Sequence, residues 1–263
     1  MNIVVCVKYV PDAQAQRRFA DDHTTDRAGV DGLLSELDEY AVEEALKLAE
    51  VTEGTTVTVL TVGPEQATDA VRKALQMGAD AAVHVVDPAI HGSDAPATAR
   101  LLAAAIGGLD HDLVLCGMAS TDGGTSVVPA MLAEHLGLPQ LTFASELTVD
   151  GDGPGATVRI RRDGDVSTEI IEGTLPALVS VTDQINEPRY PSFKGIMAAK
   201  KKPLETRTLA DLGVAPEAVG LAASWSVVES VTARPPRQAG QVIRDEGDAG
   251  EKLVEFLAAA KLV

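Results

Sequence analysis

Short apolar runs alternate with helical patterns over the first half of the chain. That alternation predicts a parallel sheet with crossover helices. Residues 3–7 form a buried-strand run. From Asp38 onward, Ala41, Val42, Ala45, Leu46 and Ala49 fall on one helical face, with Glu39, Glu43, Glu44 and Lys47 turned outward as solvated surface. Asp38 suits the N-cap, because its carboxylate can accept from the free amides of a first turn. Residues 56–61 read as a second strand, Gly63-Pro64 as a turn, and 65–77 as a helix ended by Gly78. A strand at 82–86 precedes a helix at 95–106. A strand at 113–116 then leads through a glycine-rich turn to a helix at about 125–136.

The pattern then changes. Between 141 and 181 the strands are separated only by turns, Asp150-Gly151-Asp152-Gly153 and Asp163-Gly164-Asp165, which predicts antiparallel hairpins appended to the parallel sheet. After Thr182 the chain reads as irregular until a short amphipathic helix at about 250–260. The expectation is a Rossmann-like α/β domain over 1–185 and a long extension over 186–263. The extension is too poor in apolar residues to pack alone and is expected to lie across a partner.

Composition narrows the function. Among 263 residues, Lys+Arg is 22 against Asp+Glu 39, a formal charge of −17, which argues against a general nucleic-acid binder. No apolar run approaches the roughly 20 residues that cross a bilayer. The first residues read as a strand rather than a signal peptide. Cys6 and Cys116 both lie inside apolar runs, so buried thiols are expected rather than a disulfide. These features suit a cytoplasmic protein.

The most informative segment runs Leu115-Cys116-Gly117-Met118-Ala119-Ser120-Thr121-Asp122-Gly123-Gly124-Thr125-Ser126. It leaves a strand and opens a helix. Glycines let backbone approach a ligand, helix-start amides favour an anion, and Ser120, Thr121, Thr125 and Ser126 add hydroxyl donors. Neither a Walker A nor a G-x-G-x-x-G pattern is present, and an ordinary strand-to-helix turn has the same sequence features. Position favours binding, since ligands of such sheets sit beyond the carboxyl ends of the strands. Val62-Gly63-Pro64 and Ser35-Glu36-Leu37-Asp38 reach the same edge, so three loops can form a nucleotide pocket. The five histidines are scattered without metal-ligand spacing, and no serine sits in a nucleophile elbow. His84, inside a strand run, is expected to be structural. The chain reads as a binder or carrier without a catalytic constellation.

Between 188 and 207 the charge inverts: Arg189, Lys194, Lys200, Lys201, Lys202 and Arg207 face Glu205 alone. Tyr190, Phe193, Ile196 and Met197 are interleaved with them, Phe193 in an expected loop. An apolar anchor among steering charges fits a docking site for an acidic partner, unless Phe193 folds back onto the domain.

Asn186-Glu187-Pro188-Arg189-Tyr190 and the run from Gly195-Ile196-Met197-Ala198-Ala199 through Lys200-Lys201-Lys202-Pro203-Leu204 resemble the signature of the electron transfer flavoprotein β subunit family. Val5-Cys6-Val7-Lys8, Asp38-Glu39-Tyr40-Ala41-Val42-Glu43-Glu44-Ala45, Ala74-Leu75-Gln76-Met77-Gly78-Ala79-Asp80, Leu136-Gly137-Leu138-Pro139 and Thr142-Phe143-Ala144-Ser145 agree, so the resemblance spans nearly the whole chain. It implies a heterodimer with a larger α subunit that holds most of one FAD, and an adenine-nucleotide-binding fold burying a structural AMP in this chain. The nucleotide-binding positions it implies are Cys6, Ser35, Glu36, Leu37, Asp38, Val62, Ser120, Thr121, Asp122, Gly123, Gly124, Thr125, Ser126, Val127, Val128, Pro129, Ala130 and Met131. It implies electron donors among flavin dehydrogenases, notably acyl-CoA dehydrogenases, and a membrane quinone oxidoreductase as acceptor. Docking is implied at a recognition loop matching Tyr190, Phe193, Lys194, Ile196 and Met197, with Phe193 as the apolar anchor. The sequence departs from many relatives at Ser35-Glu36, where they carry asparagine-proline. It also departs at Gly123-Gly124, where they carry aspartates, and at Ala13, where some place an aromatic near the flavin. Two alternatives remain: an electron-bifurcating β subunit with a second FAD in place of AMP, and a stand-alone adenine-nucleotide sensor of the universal-stress type.

Overall fold

The computed structural model describes residues 1–14, 17–151, 153–236, 240 and 242–263; Asp152 of the expected hairpin turn lies outside them. Met1–Glu229 form one compact unit and Ser230–Val263 a second.

β1 (Asn2–Cys6) runs through the middle of a nine-stranded sheet, and its alternation serves two helical layers. Ile3 and Val5 join the core under α1 (Glu36–Val51) and α2 (Thr68–Met77). Val4 and Cys6 join the opposite core, under α3 (Ala95–Ile106) and α4 (Val128–Leu136). Between β1 and α1 the chain makes an excursion closed by the antiparallel pair β2 (Tyr9–Pro11) and β3 (Gly32–Leu34). β4 (Thr56–Val62) pairs parallel with β1, and β5 (Ala81–Val85) with β4. The chain then crosses back to lay β6 (Leu113–Gly117) on the other side of β1, with Cys6 opposite Cys116. The sheet's topology therefore reverses direction between β1 and β6, the position at which open α/β sheets form a ligand crevice.

β7 (Gln140–Asp150), β8 (Thr157–Asp163) and β9 (Thr168–Thr174) form the expected antiparallel meander. β10 (Ala177–Val181) does not extend it. It inserts parallel between β6 and β7, because all five of its residues are buried, as a strand covered on both faces requires.

Three further expectations are corrected. α4 starts at Val128 rather than near Thr125: Ser126 takes a left-handed φ of 56°, and Pro129 is suited only to a helix's first turn. Residues beyond Thr182 are not simply irregular, since α5 (Phe193–Ala199) packs near α2 and β11 (Leu204–Arg207) pairs parallel with β5 as an edge strand. Glu43 and Glu44 are buried rather than solvated, because the 186–189 segment covers the polar face of α1. α6 (Gly220–Ala223) is the last helix of the first unit, and the second contains α7 (Ala249–Ala259), close to the expected helix. Among the described residues no helix is long and apolar enough to cross a membrane.

Candidate functional site

The end of β1 is where three predicted loops converge. Lys8, two residues past the strand, donates its amide to Asp38 Oδ2 at 2.8 Å, and its carbonyl accepts from Ser35 N at 2.9 Å. These bonds draw the start of α1 onto the β1 terminus. Asp38 is therefore not the N-cap expected from the pattern. Ser35 precedes the first helical residue, and Asp38 lies in the first turn with its carboxylate turned into the protein. Gly117 at the end of β6 permits this, since a β-carbon there would lie 2.5 Å from Asp38 Oδ1 and 2.7 Å from the Leu37 carbonyl. Burial pushes the Asp38 carboxyl up to about 7, against the pull of the Lys8 amide and its ammonium. Ser35 and Thr61 carry buried hydroxyls without hydrogen-bond partners among the described residues.

Beyond β6, residues 118–127 form the loop to α4. Asp122 is its hub. With 2% of its side chain exposed, it takes Lys8 Nζ at 2.9 Å on Oδ1 and the Arg27 guanidinium on Oδ2. Burial would raise its pKa, yet the two cations hold the carboxyl well below the ordinary range. Lys8 Nζ also donates to Ser120 Oγ at 3.3 Å, and Arg17 reaches the Thr121 carbonyl at 2.6 Å. The excursion between β2 and β3 is thus tied to the loop at two points. Past this hub the loop opens. A β-carbon on Gly124 would meet nothing within 4 Å, and the amides of Thr125, Ser126 and Val127 find no acceptor among the described residues. Bare amides, two hydroxyls and the N-terminus of α4 together make an arrangement that fits a phosphate-bearing group.

Most of the anticipated residues meet at this crevice. Cys6 closes β1, Val62 ends β4, Leu37 and Asp38 pack against Gly117, and Ser120 to Val127 form the loop. Val128, Pro129, Ala130 and Met131 make the first turn of α4. Glu36 is not among them; with Glu39, Tyr40, Lys73, Glu187, Pro188, Arg189 and Tyr190 it lines a separate cavity of about 260 Å³. Lys8, Arg17 and Arg27 were missed. Lys8 stood out only within the resemblance, and the two arginines lie in a stretch without periodicity. Cys6 and Cys116 are free and buried, and the neighbouring Cys6 thiol together with burial pushes the Cys116 thiol well up, which removes it as a nucleophile. His84 is structural, bridging Thr68 Oγ1 and the Gly63 carbonyl at 3.2 Å each.

A second feature lies at the far end of α1. Arg189 forks onto Glu43, with Nε–Oε2 at 2.7 Å and Nη2–Oε1 at 2.9 Å, and reaches Glu50 at 2.6 Å. Asn186 donates to Glu44 Oε2 and the Tyr40 carbonyl, both at 3.0 Å. These bonds fix the chain that enters α5, a short helix where a loop was expected, begun by Ser192 Oγ accepting from Gly195 N at 3.0 Å. Its outer face carries Phe193, 80% exposed, with Ile196, Met197 and Lys194 also exposed, and Tyr190 before it at 92%. Of the six cations in this stretch, Arg189 and Arg207 are paired with carboxylates and Lys202 is engaged by backbone carbonyls. Lys194, Lys200 and Lys201 have no carboxylate within 4 Å among the described residues and supply the free charge.

An electron transfer flavoprotein domain matches residues 22–212 of the chain. The chain is 49% identical over 268 residues to the electron transfer flavoprotein subunit beta of Mycobacterium leprae (strain TN), covering all of this chain and 99% of that one. It is 48% identical over 269 residues to the subunit of the same name from Mycobacterium tuberculosis (strain ATCC 25618 / H37Rv), with the same coverage. It is also 37% identical over 244 residues to the caffeyl-CoA reductase-Etf complex subunit CarD of Acetobacterium woodii, covering 92% of each chain.

Proposed function

The chain belongs to the electron transfer flavoprotein β subunit family, and from that premise we propose that it carries a structural AMP in the crevice between β1 and β6 and completes the FAD site of an α subunit. The pair then moves electrons from flavin dehydrogenases, acyl-CoA dehydrogenases among them, to a quinone oxidoreductase, in the cytoplasm. The flavin supplies the electron chemistry when bound; this chain supplies binding, orientation and docking.

The observation that carries the nucleotide reading is the row of free amides at Thr125, Ser126 and Val127 before α4, placed at the sheet's switch point. Asp122 serves the site from behind: its carboxylate is consumed by Lys8 and Arg27, so it orders the loop and does not face the nucleotide. The exposed Phe193, Ile196 and Met197 face of α5, rimmed by Lys194 and Lys200, carries the docking reading. The segment after 185 serves the partner, through α5 and the 230–263 arm.

Mass spectrometry of the nucleotides released from the purified αβ pair tests the cofactor reading, with one AMP and one FAD per pair expected. Two FAD would replace it with a second-flavin site. For docking, Phe193→Ala should raise the apparent KM for the pair with an acyl-CoA dehydrogenase by about thirtyfold, the loss of roughly 2 kcal/mol at an anchor residue. Flavin content and dithionite reduction should not change. An unchanged KM would remove Phe193 from docking.

A further inference from the structure

We propose that Lys202 is a positioning residue for docking: seated in the carbonyl end of α2, it fixes where α5 presents Phe193. The inference rests on the docking reading given above.

α5 has little to hold it. It is seven residues long and none of its side chains is buried, and a helix of that length is marginal in water without outside support. The support comes from α2. A β-carbon on Gly195 would overlap the carbonyl oxygen of Gln76, so the α5 backbone lies directly against the last turn of α2. At the downstream end, Lys202 Nζ donates to the carbonyls of Leu75, Gly78 and Ala79 at 3.2, 2.8 and 2.6 Å. An ammonium has three hydrogens, and each finds an acceptor here. The carbonyls at a helix C-terminus carry partial negative charge and lack intrahelical donors, so a cation satisfies both needs. Burial pulls the Lys202 pKa below the ordinary lysine range, as expected of a cation held inside rather than one facing solvent.

The seat is mechanically continuous with the anchor. Lys201 N and Lys202 N bond to the Ala198 and Ala199 carbonyls at 3.0 and 3.3 Å, extending the helical turn from α5 into the lysine. Arg189 clamps the entry to α5 on α1, and Lys202 clamps its exit on α2. Phe193 lies between two fixed ends. Neither cation is free to meet a partner, which separates this role from that of Lys194, Lys200 and Lys201.

The test is a double-substitution cycle in the assembled αβ pair, with an acyl-CoA dehydrogenase as donor. Lys202→Met should raise the apparent KM for the pair about tenfold at unchanged kcat, because a displaced anchor weakens association and leaves electron transfer in the formed complex intact. In a Phe193→Ala background the same substitution should change KM less than about twofold, since residues acting through one contact are not additive. Lys202→Arg should restore part of the loss. The salt dependence of KM should stay as in the unsubstituted pair, because no steering charge has been removed. Gly195→Ala, which pushes α5 off Gln76 without touching a charge, should reproduce the pattern and serves if Lys202→Met does not assemble. An equal KM rise in both backgrounds would overturn the inference, as would an unchanged KM for Lys202→Met while Phe193→Ala raises it. An unchanged KM for Phe193→Ala would overturn the docking reading itself, and this inference with it.

Discussion

Asp38 and Gly117 occupy adjoining space at the switch point of the sheet, with room for the carboxylate only because the glycine has no side chain: a β-carbon there would lie 2.5 Å from Asp38 Oδ1. The next nearest atom is backbone, the Leu37 carbonyl oxygen at 2.7 Å. Gly117→Ala must therefore move the start of α1 or the end of β6. Overpacking of this kind costs about 1–3 kcal/mol. A thermal melt of the αβ pair should show a clear drop in Tm, together with weaker nucleotide retention. An unchanged Tm would mean that the two elements separate at no cost.

The same carboxyl gives the fold a pH dependence with a definite sign. Its pKa is raised from an ordinary 3.8 to about 7 by burial. The native state therefore holds a proton that the unfolded chain releases above pH about 4, and the stabilisation is present below that pH. It is lost as pH rises through about 7, by at most about 1.4 kcal/mol per pH unit. Asp38→Asn keeps an acceptor for the Lys8 amide and cannot ionise. The substituted protein should gain stability relative to the original between pH 5 and pH 8, read from urea midpoints at both values. A gap independent of pH would show that Asp38 is not neutral in the fold at pH 5.

The legible parts of the fold were those decided by local pattern. α3 is found at its expected residues because Ala97, Leu101, Leu102, Ala105 and Ile106 make one continuous buried face. β10 was misread because only Leu175 and Pro176 separate it from β9, and whether a strand joins a hairpin or threads back into a sheet is settled by distant partners, here β6 and β7. Glu43 and Glu44 were misread for a related reason. Their helical face is polar as expected, and what buries it is Asn186 and Arg189, more than 140 residues away. At the candidate site the crevice loops could be placed from sequence. Asp122 could be named but not understood, since its partners Lys8 and Arg27 come from the strand end and from an aperiodic excursion.

The Arg189–Glu43 pair should be expensive to break from one side. Arg189→Met leaves Glu43, 6% exposed, without its two-pronged donor, and an uncompensated buried charge costs about 3–5 kcal/mol. The lower end applies, because the guanidinium is partly exposed. Arg189→Met, Glu43→Met and the double substitution form the cycle. The double variant should recover a good part of the loss, and strictly additive Tm changes would show that the two groups do not depend on each other.

The final prediction separates the free cations from the engaged ones. Charge steering acts through exposed groups and is screened over roughly 8–10 Å at physiological salt. Lys194 and Lys200 are exposed and lack a carboxylate within 4 Å among the described residues, whereas Arg207 is forked onto Glu205 at 2.8 and 3.1 Å. Lys194→Glu or Lys200→Glu should therefore slow association with an acidic-faced dehydrogenase and flatten its dependence on ionic strength. Arg207→Gln removes one positive charge from the same stretch of sequence, but that charge is already offset by Glu205, so the association rate and its salt slope should barely change. Its effect should fall on stability instead, since its guanidinium also reaches the Ala105 carbonyl at 3.3 Å and ties the edge strand β11 to the end of α3. Stopped-flow flavin reduction at low and high salt distinguishes the two groups. If Arg207→Gln flattened the salt slope as much as Lys194→Glu, steering would follow the net charge of the stretch and not the exposed Lys194 and Lys200.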